Sequence, residues 1–134
     1  MIVFSIASIA TLTSCQKQDP PTIAEQLVGK WTMKTAIGSY VLNGDKTNGT
    51  TNFTADDYFE FKADGTVTIV ETNQTYKGNW KITNDKLVFT NTNYMDYAIA
   101  GYTIKILTAN DLQLYYAEQT NPNASLEQWL NLAK

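Results

Sequence analysis

The chain contains no histidine and no arginine, and its single cysteine is Cys15. Without histidine there is no Ser-His-Asp or Cys-His nucleophile relay and no imidazole ligand for a metal. Without arginine there is no bidentate guanidinium clamp for phosphate or carboxylate. One thiol leaves no internal disulfide framework. All ten cations are lysines, scattered singly and outnumbered by thirteen carboxylates, which argues against a nucleic-acid surface. Neither a metal nor a cofactor is expected. At 134 residues there is room for one domain with a modest core.

What is present begins with "MIVFSIASIATLTSC", uncharged over its first fourteen residues and mostly apolar or small. It is shorter than the roughly twenty residues a membrane-spanning helix needs. It reads as the apolar region of a secretory signal. Its end, Leu12-Thr13-Ser14-Cys15, resembles the bacterial lipobox, although no Lys or Arg precedes the apolar run. That resemblance implies cleavage before Cys15 and lipidation of its thiol and new amino group. Residues 1–14 are then a signal peptide, 15–21 a lipidated Cys and tether stiffened by Pro20 and Pro21, and 22–134 the folded domain. Several acyl chains on one residue would anchor firmly, at about 0.8 kcal/mol per buried methylene.

From Thr22 the pattern becomes structural. Thr22 and Glu25 have capping-box spacing, predicting a helix of one or two turns before Gly29. The period then changes to two. Trp31 and Met33 alternate with polar neighbours, and "DYFEFK", "TVTIVE", "TYKGNWKI", "KLVFTN", "YAIAGYTIKIL" and "DLQLYYAE" repeat the grammar between short turns. "GSYVLN" (38–43) reads as an eighth strand or as part of a loop. "NASLEQWLNLAK" carries a second capping-box spacing, Ser125 with Gln128. Its apolar stripe of Leu126, Trp129, Leu130 and Ala133 predicts a C-terminal helix. The expectation is all-β: an up-and-down antiparallel barrel of seven or eight strands with short N- and C-terminal helices. Closure removes the two exposed edges of such a meander.

Gly29-Lys30-Trp31 on the first strand, the helix before it and the meander after it resemble the lipocalins. "YFEFKADGTVT", "GNWKITNDKLVFT" and "YTIKILTANDLQLYY" are similar to the lipocalin-like domains of bacterial lipoproteins of the Bacteroidetes type. The resemblance spans roughly residues 22 to 134. Two departures stand out. Many lipocalins stack an arginine of the last strand on the first-strand Trp, and this chain has none. Their Thr-Asp-Tyr signature is also missing, the nearest stretch being Met95-Asp96-Tyr97.

A second Gly-x-Trp, Gly78/Trp80, accompanies Gly29/Trp31. Each Gly suits a bend or close approach, and each Trp is expected to plug the interior. Trp31, Met33, Phe59, Phe61, Tyr76, Trp80, Phe89, Tyr102 and Tyr116 are the expected interior and candidate ligand contacts. Eight of these nine are aromatic, and an eight-stranded barrel is only just wide enough for side chains or one small ligand. Any cavity is therefore expected to be small or confined to one end.

Strand parity gathers the tight turns 63–65, 83–86 and 108–111 at one pole and the connections 44–56, 72–75, 91–97 and 118–124 at the other. The second pole is the expected mouth, with 44–56 as a lid and Tyr94, Met95 and Tyr97 on the rim. Adjacent carboxylates such as Asp56/Asp57 look solvated in a polar loop, so no catalytic residue and no enzyme activity are expected. The expected protein is a monomeric, membrane-anchored lipoprotein of the bacterial outer membrane that binds a small hydrophobic or amphipathic molecule. The alternative is a packed barrel that meets a protein or glycan through its loops or through the exposed tyrosines Tyr40, Tyr58 and Tyr115.

Overall fold

The computed structural model of the protein describes residues 19–94 and 101–134. Cys15, the signal segment, Met95 and Tyr97 lie outside the described residues. Thr22 and Glu25 form the reciprocal capping box, and the helix they start, α1 (Ile23–Leu27), buries Leu27 completely. Nine strands follow: β1 (Gly29–Leu42), β2 (Asp45–Asn52), β3 (Tyr58–Phe61), β4 (Thr66–Glu71), β5 (Gln74–Thr83), β6 (Lys86–Thr90), β7 (Tyr102–Leu107), β8 (Asp111–Asn121) and β9 (Ala124–Ala133).

All neighbouring strands are antiparallel, and β1 pairs with β9 from Thr32↔Ala133 to Leu42↔Ala124, which closes the sheet. The closed ring contains eight strands. The ninth, β2, pairs only with the upper part of β1 (Thr35–Leu42), while Gly29–Thr32 at the lower end pair with β3. A bulge between Met33 and Thr35 marks the changeover.

The C-terminal helix expected from the sequence is not there; residues 124–133 are β9. Leu126, Gln128, Leu130 and Leu132 alternate with Glu127, Trp129 and Asn131, so the segment also carries a period of two. As a helix it would leave the edges of β1 and β8 unpaired. As a strand it supplies both with backbone partners. The lid expected over 44–56 is also largely a strand. Asn43-Gly44 is a two-residue hairpin turn with both residues at positive φ, so 38–42 and 45–52 form one long hairpin.

The pole assignment matches the topology. The turns after β3, β5 and β7 sit at the end shut by α1. The connections after β1, β4 and β8, the end of β6 and the start of β7 lie at the opposite, open end. At the shut end the tryptophans of the two Gly-x-Trp units fasten the floor. Trp31 Nε1 donates to Leu27 O of α1 at 2.7 Å, and Trp80 Nε1 donates to Lys62 O of the β3–β4 turn at 3.0 Å.

The two glycines serve different ends. Gly29 has φ +120°, which lets the chain leave α1 and enter β1 at once. Gly78 faces the Thr90–Thr92 backbone so closely that a Cβ there would lie 2.6 Å from Thr92 Cβ and 2.8 Å from Thr90 O.

Candidate functional site: the open end of the barrel

The expected interior residues are brought together. Trp31, Met33, Phe59, Phe61, Trp80, Tyr102 and Tyr116 are buried, and Tyr76 and Phe89 are partly buried against the same core. Their rings touch in sequence from the floor upward. Trp80 meets Phe61 edge-on at 5.3 Å, Phe61 stacks with Phe89 at 6.2 Å, Phe89 meets Tyr102 at 6.0 Å, and Tyr102 meets Tyr116 at 5.9 Å. Tyr94 is not a rim residue. It is 4% exposed, its ring 5.1 Å from Tyr76 and 5.5 Å from Phe59, and it packs into the core just beyond the end of β6.

The wall is uneven. β1, β2, β8 and β9 rise past the ring-filled core, whereas β3 has four residues and β6 five. From Ala36↔Leu130 to Leu42↔Ala124 the tall side continues for six residues, about 20 Å of strand. The tips of its two hairpins are tied by Asn43 N donating to Asn123 O at 2.8 Å.

Alternation from the buried Ala36 and Leu130 assigns the inner face of this overhang. One row across the four strands is Gly49, Gly38, Gln128 and Tyr116. The next is Thr47, Tyr40, Leu126 and Glu118. Tyr40 and Leu42 are 43% and 45% exposed, although they stand on the face that lower down is core. The two glycines leave a notch. A Cβ on Gly49 would meet nothing within 4 Å, and one on Gly38 only Glu127 O at 3.9 Å. Beside it the Gln128 Oε1 atom is buried without a hydrogen-bond partner among the described residues. The Tyr116 hydroxyl donates to the Glu118 carboxylate.

Gly49, Leu126 and Gln128 escape sequence reasoning because 44–56 reads as loop and the C-terminal segment as helix, and Gly38 and Glu118 because 38–43 reads as strand or loop and 118–124 as a connection. The signal that would have found Gly38 and Gly49 is Asn43-Gly44, a strong short hairpin turn, with Gly38, Tyr40 and Leu42 alternating before it.

A second feature flanks the mouth. Asp57 is buried, not solvated. Its Oδ2 accepts from Thr54 N at 2.7 Å and Thr54 Oγ1 at 2.8 Å, and its Oδ1 accepts from Thr72 N at 2.7 Å. The Thr54 and Thr72 backbone N–H groups hold its carboxyl below the ordinary range. Two of these bonds close the 53–57 loop on itself and the third pins it to the β4–β5 turn, so this carboxylate acts as a staple. Asp64 is engaged likewise, accepting from Thr66 Oγ1 at 2.7 Å and Thr66 N at 2.9 Å. Among the described residues no group of acidic or thiol side chains is arranged to hold a metal ion.

A closed eight-stranded up-and-down barrel with a helix-shut floor and an uneven open mouth defines a lipocalin-type protein, a fold that typically binds rather than catalyses. The chain belongs to the lipocalin-like domain family, whose model matches residues 27–114. No curated protein and no solved structure matches it. The matched span ends within β8, so β9 and its share of the overhang lie beyond it.

Proposed function

We propose that this lipocalin-like protein is a non-enzymatic, lipid-anchored protein of the bacterial outer membrane that holds a small apolar or amphipathic molecule at the mouth of its barrel. The observation that carries the reading is the exposed apolar inner face of the overhang. Tyr40 and Leu42 stand open above a core already filled by aromatic rings. Burying a Leu-sized surface stabilises a complex by about 1.5–3 kcal/mol, so a ligand covering Tyr40, Leu42 and Leu126 gains enough to bind. Anchoring through Cys15 rests on the Leu12–Cys15 sequence. No nucleic-acid partner is invoked, and the protein acts as a monomer.

Native mass spectrometry of protein purified from its own host tests the reading. A copurifying small molecule is expected, and it should be lost from a Tyr40→Ser/Leu42→Ser variant that melts within a few degrees of the parent. A ligand-free parent spectrum in repeated preparations refutes binding. For the anchor, Cys15→Ala should move the protein from the membrane to the soluble fraction, and unchanged retention refutes it.

One observation favours interaction through the outer surface instead. On the far side of the same wall Tyr115 and Trp129 pack with centroids 4.4 Å apart, and Lys105 Nζ lies 5.0 Å from the Tyr115 ring. If the mouth proves empty, this aromatic pair is the surface on which to seek a protein or glycan partner.

A further inference from the structure

The charges on the inner face of the mouth are of one sign. Asp45 is paired with Leu42, Glu71 stands at the top of β4 two residues beyond the inward Ile69, and Glu118 is paired with Leu126. All three sit on inward positions of their strands. The lysines are elsewhere. Lys46, Lys77 and Lys81 pair with Val41, Thr68 and Val88 on outward positions, and Lys30 lies over the outward Tyr58 ring at 3.8 Å. Lys62, Lys86 and Lys134 belong to the shut pole.

Level with Asp45 and Glu118 runs the apolar strip of Tyr40, Leu42 and Leu126, and below it is the open notch at Gly38 and Gly49. The polar atoms bordering that notch are acceptors in excess. Gln128 Oε1 is buried without a hydrogen-bond partner among the described residues, and the Glu118 carboxylate accepts a hydrogen bond from Tyr116 and has lone pairs to spare. A buried acceptor without a donor is destabilising, so a donor-bearing ligand relieves a cost that a carboxylate ligand would increase.

From this charge complementarity we propose that the mouth selects a cationic amphiphile, an alkyl chain or ring with an ammonium head, over an anionic one such as a fatty acid. The apolar body covers Tyr40, Leu42 and Leu126, and its head-group end lies beside the Gly38–Gly49 notch. The ammonium donates to Glu118 and Gln128. The inference rests on the mouth-binding reading above and specifies its ligand class. The chain has no arginine, and among the described residues no lysine stands on an inner strand position of the mouth to receive a carboxylate head.

Calorimetric titration of the folded protein with decylamine, decanol and decanoate, each below its micelle concentration, provides the test. Decylamine is expected to bind at least tenfold more tightly than decanoate, with decanol between them. Glu118→Gln should bring the amine and the acid to within about threefold while leaving decanol unchanged, because the lost term is electrostatic. Glu60→Gln, on the outer face of β3, should leave the parent ratio intact and so exclude an effect of net charge. Gly49→Val, which enters open space, should weaken all three by filling the notch. Decanol binding with no preference between amine and acid overturns the charge selection while leaving mouth binding intact. Failure of all three to bind overturns both.

Discussion

Lys134 Nζ stands 4.3 Å from the centre of the Trp31 ring and donates to Gln26 O at 3.3 Å and Val28 O at 3.2 Å. One ammonium from the end of the chain thus covers the indole of the first strand and satisfies carbonyls at the end of α1. This is the position that the resemblance to lipocalins left without an arginine. A lysine has no planar fork, but three donors on a flexible stem reach two carbonyls and the ring together. Lys134→Met should lower stability by about 1 kcal/mol, or about 4 °C in Tm. Lys134→Arg should recover most of that loss in the same melting experiment. Equal melting of Lys134→Met and the parent would show that the contact contributes nothing.

Gly78 and Gly49 make opposite predictions for the same chemical change. At Gly78 an added methyl is met at 2.6 Å by Thr92 Cβ and at 2.8 Å by backbone, so β5 must move away from the chain beyond β6. Gly78→Ala is expected to destabilise by about 2 kcal/mol. At Gly49 the added methyl meets nothing, and Gly49→Ala should change stability by less than about 0.5 kcal/mol. Urea midpoints at constant slope compare the two directly.

Asp57 gives the fold an acid limit. Its folded-state carboxyl lies below the unfolded value, near 3.9. The stabilisation is therefore fully present above about pH 4 and is lost as pH falls through the lower folded value. Glu25, held down chiefly by the Thr22 backbone N–H, and Asp64, held down chiefly by the Thr66 hydroxyl, shift in the same direction. Asp57→Asn should melt earlier than the parent at pH 7, and the gap should narrow as pH drops below 4. A gap independent of pH between 7 and 3 would show that the carboxylate's charge is not what holds the loop.

Thr72 carries the cost of that same staple. Its φ is +50°, a left-handed conformation that a β-branched side chain adopts with strain, and its N–H is the one bonded to Asp57 Oδ1. Thr72→Asn keeps the N–H and fits the left-handed region better. The substitution should stabilise by about 0.5–1 kcal/mol, read as a higher urea midpoint. A lower midpoint would mean that the Thr72 side chain makes a contribution beyond its turn.

Sequence alone determined seven of the strands, the order of poles and most of the aromatic core. A period of two is a local property: once Trp31, Phe59, Phe61, Trp80 and Tyr102 alternate with polar residues, burying one face follows. Parity then decides which turns share an end. The helix start at Thr22–Glu25 was legible for the same reason, since a capping box is closed by residues three apart.

The tertiary structure alone decided the far end of the chain and, with it, the mouth. Leu126 and Leu130 fit a helical stripe as well as a strand face. Only the unpaired backbone of β1 and β8, nearly a hundred residues and about a dozen residues away, makes the strand the better solution. The overhang, the Gly38–Gly49 notch and the acidic rim all depend on that long-range pairing. Hydrogen bonds between distant strands cannot be read from a local pattern, because the pattern fixes which face is apolar and not which partner will cover the edge.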